Sequence, residues 1–323
     1  MLCSGSRSFF VASRLLPARV RNPATALYAF CRVADDLIDL GNDKPAALTM
    51  LEQLLDLAYA GQPAADPVNR AFAATLAQFQ IPKTLPAALL EGLAWDAQGR
   101  HYASFGDLLD YAARVAGSVG VMMALLMGVR EAGALARAAD LGIAMQLTNI
   151  ARDVGEDAAA GRLFLPLDWM AEAGIDAQAF LKAPQFSSAL AGVVRRLLDE
   201  AGLLYARGRA GLASLPLDCR PGIAAAARIY QAIGARIADA GYNSITQRAH
   251  VSGRAKAMIA GRALSDCIAT GQMNNMTTLP ANLFLITAAA VEITAEPTAI
   301  IKLLTMFERL ERSQREAASG IAA

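Results

Sequence analysis

Gln146-Leu147-Thr148-Asn149-Ile150-Ala151-Arg152-Asp153-Val154-Gly155-Glu156-Asp157 decides how the chain is read. Four of its side chains, Gln146, Asn149, Asp153 and Asp157, are amides or acids at offsets of 0, 3, 7 and 11. An α-helix turns once in about 3.6 residues, so these four line one face. The segments on either side are long and apolar. A globular chain does not normally give its inward stripe to carboxylates. A positive group is therefore expected against this face.

A second stretch has nearly the same geometry. Asn22-Pro23 has the form of a helix start, an N-cap followed by a first-turn proline. Gly41 has the form of a stop, so a helix is predicted over 23–40. On it Tyr28, Arg32, Asp35 and Asp39 fall at offsets of 0, 4, 7 and 11, with Asp36 beside them. A lone i,i+4 acid pair is usually a solvated helix face. Two helices, each with an acid stripe in phase with polar or aromatic partners, point instead to a shared site.

The rest of the chain supports an all-α reading. It has 323 residues, 55% hydrophobic and 18% charged, enough to bury a sizeable core. Alanine and leucine dominate, and they are the best helix formers. Helical patterns recur at about 45–60, 67–80, 84–100, 105–128, 131–157, 187–214, 222–241 and 249–265, and Ser104 with Asp107 resembles a capping box. The segment 266–282 is polar and irregular, and a tail helix is expected near 297–317. No strand alternation is found, so one all-α domain is expected. Net charge is +1, from 30 basic and 29 acidic residues, which gives a nucleic-acid partner no support. The four cysteines are widely spaced with no CxxC pair, so neither zinc nor a redox motif is indicated, and a reduced cytoplasmic protein is expected. Met1 to Gly5 is too short to serve as a leader peptide. The apolar run Val115 to Val129 is shorter than the ~18–20 residues that span a bilayer, so no transmembrane helix is expected.

Asp35, Asp36, Asp39, Asp153, Glu156 and Asp157 supply six carboxylates in two clusters. Crowded carboxylates raise one another's pKa unless a cation is present. All-oxygen ligands suit Mg²⁺ or Mn²⁺ rather than zinc. Mg²⁺ usually completes its shell with water and substrate phosphates, so a phosphate or diphosphate is expected between the helices. Arg32 is placed to contact it. Arg152 lies off the stripe and is expected to hold a neighbouring acid. Val115, Ala116, Val119, Gly120 and Met123 would line an apolar pocket for a hydrocarbon tail. Metal-assisted loss of diphosphate would leave an allylic cation, which excluded water and an aromatic face such as Tyr28 or Tyr111 would protect. His101 and His250 are isolated and read as ordinary surface or core residues. Gly117 and Gly120 read as close-packing glycines.

These motifs together resemble the head-to-head prenyl synthases. Ser6-Arg7-Ser8-Phe9 is similar to the family's N-terminal motif. Tyr28-Ala29-Phe30-Cys31-Arg32-Val33-Ala34-Asp35-Asp36-Leu37-Ile38-Asp39 is similar to its first aspartate-rich motif. Tyr111 with Val115-Ala116-Gly117-Ser118-Val119-Gly120 resembles the central motif, Gln146 to Asp157 the second aspartate-rich motif, and Gly161-Arg162 with Leu165-Pro166 the segment after it. The resemblance covers about residues 4–264. It implies a domain at 1–265, followed by a C-terminal helical extension, 266–323, of unassigned role. It also implies an isoprenoid synthase fold, a single-domain helical bundle around a central apolar cavity, with three Mg²⁺ ions. Two C20 geranylgeranyl diphosphates would be joined through a cyclopropylcarbinyl diphosphate to C40 15-cis-phytoene, without NADPH. Asp35, Asp36, Asp39, Asn149, Asp153, Glu156 and Asp157 would hold metal. Ser6, Ser8, Arg32, Tyr111, Gln146, Asn149, Tyr230 and Arg248, with the apolar residues Val115, Ala116, Val119 and Gly120, would bind substrate. Asp35, Asp39, Asp153, Asp157, Tyr28 and Arg32 would carry the chemistry.

Three departures from the family pattern stand out. Ala113 stands where a second tyrosine is frequent, Phe164 replaces another tyrosine, and Gly5 stands where some C15-using relatives carry histidine. Ser13 is small where C15-using relatives tend to have a bulky aromatic, which favours C20. The alternatives are a C15 enzyme making dehydrosqualene or squalene, a chain-elongating synthase (Asp35-Asp36-Leu37-Ile38-Asp39 reads DDxxD), a terpene cyclase, and a non-enzymatic helical assembly protein. An apolar substrate and product lead to an expectation of peripheral contact with the inner face of the membrane. No feature of the sequence points to an oligomeric state.

Overall fold

The computed structural model describes residues 12–41, 43–263 and 276–290, and of Asp39 and Leu40 the backbone alone. The Ser6–Phe9 motif and the tail helix expected near 297–317 lie outside the described residues. Among the described residues there is no strand. The helices are α1 (Ala18–Leu40), α2 (Lys44–Tyr59), α3 (Pro67–Gln78), α4 (Thr84–Ala97), α5 (Phe105–Ala112), α6 (Ser118–Leu126), α7 (Ala132–Ala159), α8 (Leu167–Glu172), α9 (Ala177–Lys182), α10 (Ser188–Ala210), α11 (Arg220–Asp239), α12 (Gly253–Arg262) and α13 (Leu283–Ala289).

Helix α7, which carries the second acid stripe, is the axis of the bundle. Glu131 caps it, its carboxylate accepting from the amides of Gly133 and Ala134 at 2.7 Å each. Its alanines let neighbours approach closely, and α10, α6, α11, α13 and α5 all pack on it. At Gly120 of α6 an added Cβ would run into the carbonyl of Ala138, and at Gly142 of α7 into that of Ala116. These glycines let α6 and α7 lie backbone to backbone, as the close-packing reading expects.

Helices α5 and α6 form one run, joined through a π-helical turn at Ala113–Gly117. Such turns re-aim side chains and are frequent at functional sites. Ser104 and Asp107 form the expected capping box at its start. By length and composition Phe105–Leu126 would pass for a membrane-crossing helix. More than half of its most apolar window is buried inside the protein, with Val121 and Met122 at 0% exposure, so it serves as core. Each fully buried side chain of this kind contributes about 1.5–3 kcal/mol.

Two expectations change. Helix α1 starts at Ala18, not at Pro23, which sits inside it. Pro23 gives up one hydrogen bond to the carbonyl four residues back. Burial of Val20 and Ala24, and the Arg19–Asp218 ion pair at 2.6 Å, hold the turn around it. The boundary expected at 265 also falls short of where packing continues. Pro280–Asn282 forms a 3₁₀ turn leading into α13, and Asn282 and Leu285 are fully buried. The compact unit runs through Ala290.

Candidate active site

Two cavities meet at α7. The first, of about 670 Å³, is lined by Tyr28 and Arg32 of α1, Asn149 and Arg152 of α7, Tyr230 and Ile233 of α11, and Arg248 to Val251 with Lys256 beyond it. The second, of about 260 Å³, is apolar. Val115, Ala116, Val119, Gly120 and Met123 line it, as expected, together with a stripe of α7 and residues from Gly208 to Tyr230. Asn149 and Tyr230 belong to both linings, so the polar and apolar cavities adjoin at these two side chains. Gln146 faces the apolar side of this boundary.

None of the acids lines the polar cavity, but Asp35, Asp36, Asp153, Glu156 and Asp157 each pair with a guanidinium, and three of those arginines, Arg32, Arg152 and Arg248, do line it. Arg32 bonds Asp35 at 3.0 Å and pairs with Asp36 at 2.5 Å. Asp153 accepts two bonds from Arg152, at 2.8 and 2.5 Å, and one from Arg248 at 2.9 Å. Arg248 also lies 3.3 Å from Glu156. Asp157 accepts from Arg162 at 3.0 Å. The positive charge expected against the stripe is thus supplied here by Arg152, Arg162 and Arg248, and Arg152 does hold its neighbouring acid. Gly155 brings Arg248 in. Its amide donates to the carbonyl of Ser244 at 2.9 Å, and an added Cβ would collide with the backbone of Ser244 and Ile245.

The electrostatics differ along the stripe. Burial pushes the Asp153 carboxyl up, but hydrogen bonds from Arg152 and Arg248 outweigh it and hold the group below the usual carboxylate range. Asp157 is pushed up to about 6, first by burial, with Asp153 and Glu156 adding repulsion and Arg162 opposing. One arginine does not neutralise this end of the stripe. A divalent cation suits that excess charge, and the carboxylate and amide oxygens are the right donors for a hard ion. Among the described residues no three acids converge on one point, and the side chain of Asp39 lies outside them.

Tyr111 lines neither cavity. Its hydroxyl donates to Asp96 at 2.8 Å, which turns the ring into a cluster with Tyr102 and Phe164, at 5.1 and 5.4 Å between centroids. Burial, with the charge of Asp96 added, drives its hydroxyl pKa well up. Ser13 is buried and likewise lines neither cavity. His250, which read as an ordinary surface or core residue, and Lys256, which the sequence did not single out, line the polar cavity. Their one sequence signal is their closeness to Arg248.

The chain matches the family model for squalene/phytoene synthase over residues 2–255. It is 56% identical over 269 residues to a phytoene synthase of Rhodobacter capsulatus, covering 82% of this chain and 79% of that one. It is 48% identical to a phytoene synthase of Cereibacter sphaeroides, over 97% and 93% of the two chains. A crystal structure of a dehydrosqualene synthase superposes with a TM-score of 0.75 at 34% identity, covering 82% of this chain and 93% of that one.

Proposed function

The chain belongs to the squalene/phytoene synthase family and is a prenyl-transferring enzyme with the all-α isoprenoid synthase fold, and from that premise we propose that it joins two geranylgeranyl diphosphates head to head into C40 15-cis-phytoene for carotenoid biosynthesis. The observation that carries this reading is the junction at Asn149 and Tyr230. There a polar cavity lined by Arg32, Arg152, Arg248 and Lys256 adjoins an apolar one. An ionic head and a hydrocarbon tail each find the matching half.

Arg32, Arg152, Arg248 and Lys256 would bind diphosphate oxygens. Asp35, Asp36, Asp39, Asn149, Asp153, Glu156 and Asp157 would hold divalent cations, Mg²⁺ in preference, three in number. Bound there, the cations would draw negative charge from the leaving diphosphate. The acids would exchange their guanidinium partners for the cations, freeing Arg32, Arg152 and Arg248 to face the diphosphate. As the C1–O bond of one substrate breaks, its diphosphate leaves and the allylic carbon bonds to the double bond of the second. A proton lost from that carbon closes the cyclopropyl ring. A second loss of diphosphate, rearrangement and loss of a proton give the hydrocarbon. The apolar walls would exclude water that quenches the cations, and the faces of Tyr28 and Tyr230 would lie beside the reacting carbons.

A C15-using reading has one observation in its favour, the likeness to a dehydrosqualene synthase. Ser13 does not decide against it, because it is outside both linings. The deciding assay supplies geranylgeranyl or farnesyl diphosphate with Mg²⁺ and without NADPH. A C40 hydrocarbon from the C20 substrate is expected. C30 products from farnesyl diphosphate, with nothing from the C20 substrate, would overturn the reading. The apolar product also suggests peripheral contact with the inner face of the membrane from the cytoplasm. The protein should then float with liposomes, and recovery only from the dense fraction would refute this.

A further inference from the structure

The apolar cavity has a definite far end. Along α7 its lining is one continuous stripe, from Asn149 through Met145, Leu141 and Ala138 to Arg137 and Ala134. Neighbouring elements run antiparallel beside that stripe. Ala116 packs on Gly142 and Gly120 on Ala138 from one side, and Gly208 packs on Leu141 and Gly211 on Arg137 from the other. The mouth is therefore at Asn149 and Tyr230, and the opposite end is formed by Met127, Ala134, Arg137 and Gly211. Asn149 and Arg137 are twelve residues apart on α7, about 18 Å of helix. An extended C20 chain hung from a diphosphate at the mouth has a reach of that order.

Arg137 is the one charged residue among those lining the apolar cavity. Its side chain is 2% exposed and cannot swing away. It lies 3.1 Å from Asp140, which also accepts from Arg207 at 2.9 Å and from Asn282 at 3.0 Å. Arg137 and Arg207 both donate to the carbonyl of Thr277, at 3.3 and 2.6 Å. The segment that sequence reasoning left without a role thus clamps the guanidinium from outside. Among the described residues, Nε and Nη1 of Arg137 are buried and have no hydrogen-bond partner.

We propose that Arg137, held by Asp140 and the Thr277–Asn282 segment, is the floor of the prenyl pocket and sets the longest chain the enzyme accepts. This rests on the prenyl-diphosphate reading above, and it concerns a specificity-determining residue remote from the reacting atoms. Shortening the side chain deepens the pocket, whereas a side chain of similar length keeps the floor in place.

The test is a competition between geranylgeranyl (C20) and geranylfarnesyl (C25) diphosphates, with the C25-to-C20 ratio in the products read by mass spectrometry. That ratio does not depend on how much enzyme is folded. Arg137→Ala should raise it about tenfold, the scale set by added room in an apolar pocket, while Arg137→Met stays within about twofold of the unaltered enzyme. Met127→Ala, which opens the same end without touching the ion cluster, should shift the ratio in the same direction. A ratio unmoved in both alanine variants, or moved as far by Arg137→Met as by Arg137→Ala, overturns the proposal. Failure of the unaltered enzyme to use the C20 substrate speaks instead against the substrate reading.

Discussion

Asp153→Asn should lower kcat by about a thousandfold or more, the loss of roughly 4 kcal/mol of transition-state stabilisation, while the helical circular-dichroism signal stays intact. Asp153 is the acid most firmly built into the site, with a side chain only 17% exposed and bonds from both Arg152 and Arg248. Those bonds outweigh burial and hold its carboxyl below the usual carboxylate range. Asparagine fits the same space but removes the charge, turning half of the group from an acceptor into a donor that faces guanidinium N–H bonds. Cation affinity falls, and Arg248 loses the partner that aims it into the cavity. The fold has little at stake, because Leu147, Ile150, Ala151 and Val154 anchor this part of α7 from its buried side. Steady-state rates with saturating Mg²⁺, measured beside a melting curve, separate the two effects. Wild-type kcat in the variant would remove Asp153 from the mechanism.

The half of α7 that carries charge was legible in the sequence, and the half that carries hydrocarbon was not. Asn149, Asp153 and Asp157 contrast with an apolar chain, so their phase is visible. Ala138, Leu141 and Met145 continue the same stripe, but apolar residues on a core helix look alike whether they face a cavity or a neighbour. Arg137 drew no notice in the sequence, since a lone arginine in a helix ordinarily reads as solvated surface. Tyr111 was drawn toward the pocket by the likeness of Tyr111 with Val115 to Gly120 to the family's central motif. The π-helical turn at Ala113–Gly117 breaks the helical phase between them, and no sequence pattern announces such a turn. Helices α8 and α9 are too short to show a period, though Asp176 caps the second. Residues 276–282 read as irregular because their polar groups suggest solvent. Their partners, Arg137, Asp140 and Arg207, lie about 70 to 140 residues earlier, beyond the reach of any local pattern.

Those distant partners make Asp140→Ala the largest stability loss expected in the molecule, about 3–5 kcal/mol. The carboxylate is fully buried and joins three elements: Arg137 on its own helix, Arg207 on α10, and Asn282 in the turn before α13. Burial pushes its carboxyl pKa up, and Arg137 and Arg207 only partly offset that. The ion cluster therefore adds little net stability when whole and is severe to break. Alanine would leave the Arg137 guanidinium, 2% exposed, as a buried charge without its counterion. It would also release Asn282 and loosen the segment that closes the pocket. The converse change is milder, since Arg137→Met leaves Asp140 bonded to both Arg207 and Asn282. A double variant, Arg137→Met with Asp140→Ala, removes both charges and should recover a large part of the loss. Urea melts of the two single variants and the double one give the coupling directly. Hydrogen exchange should show the amides of 276–290 opening first in Asp140→Ala. Equal destabilisation by Asp140→Ala and by the double variant would mean that the loss comes from packing and not from the stranded charge.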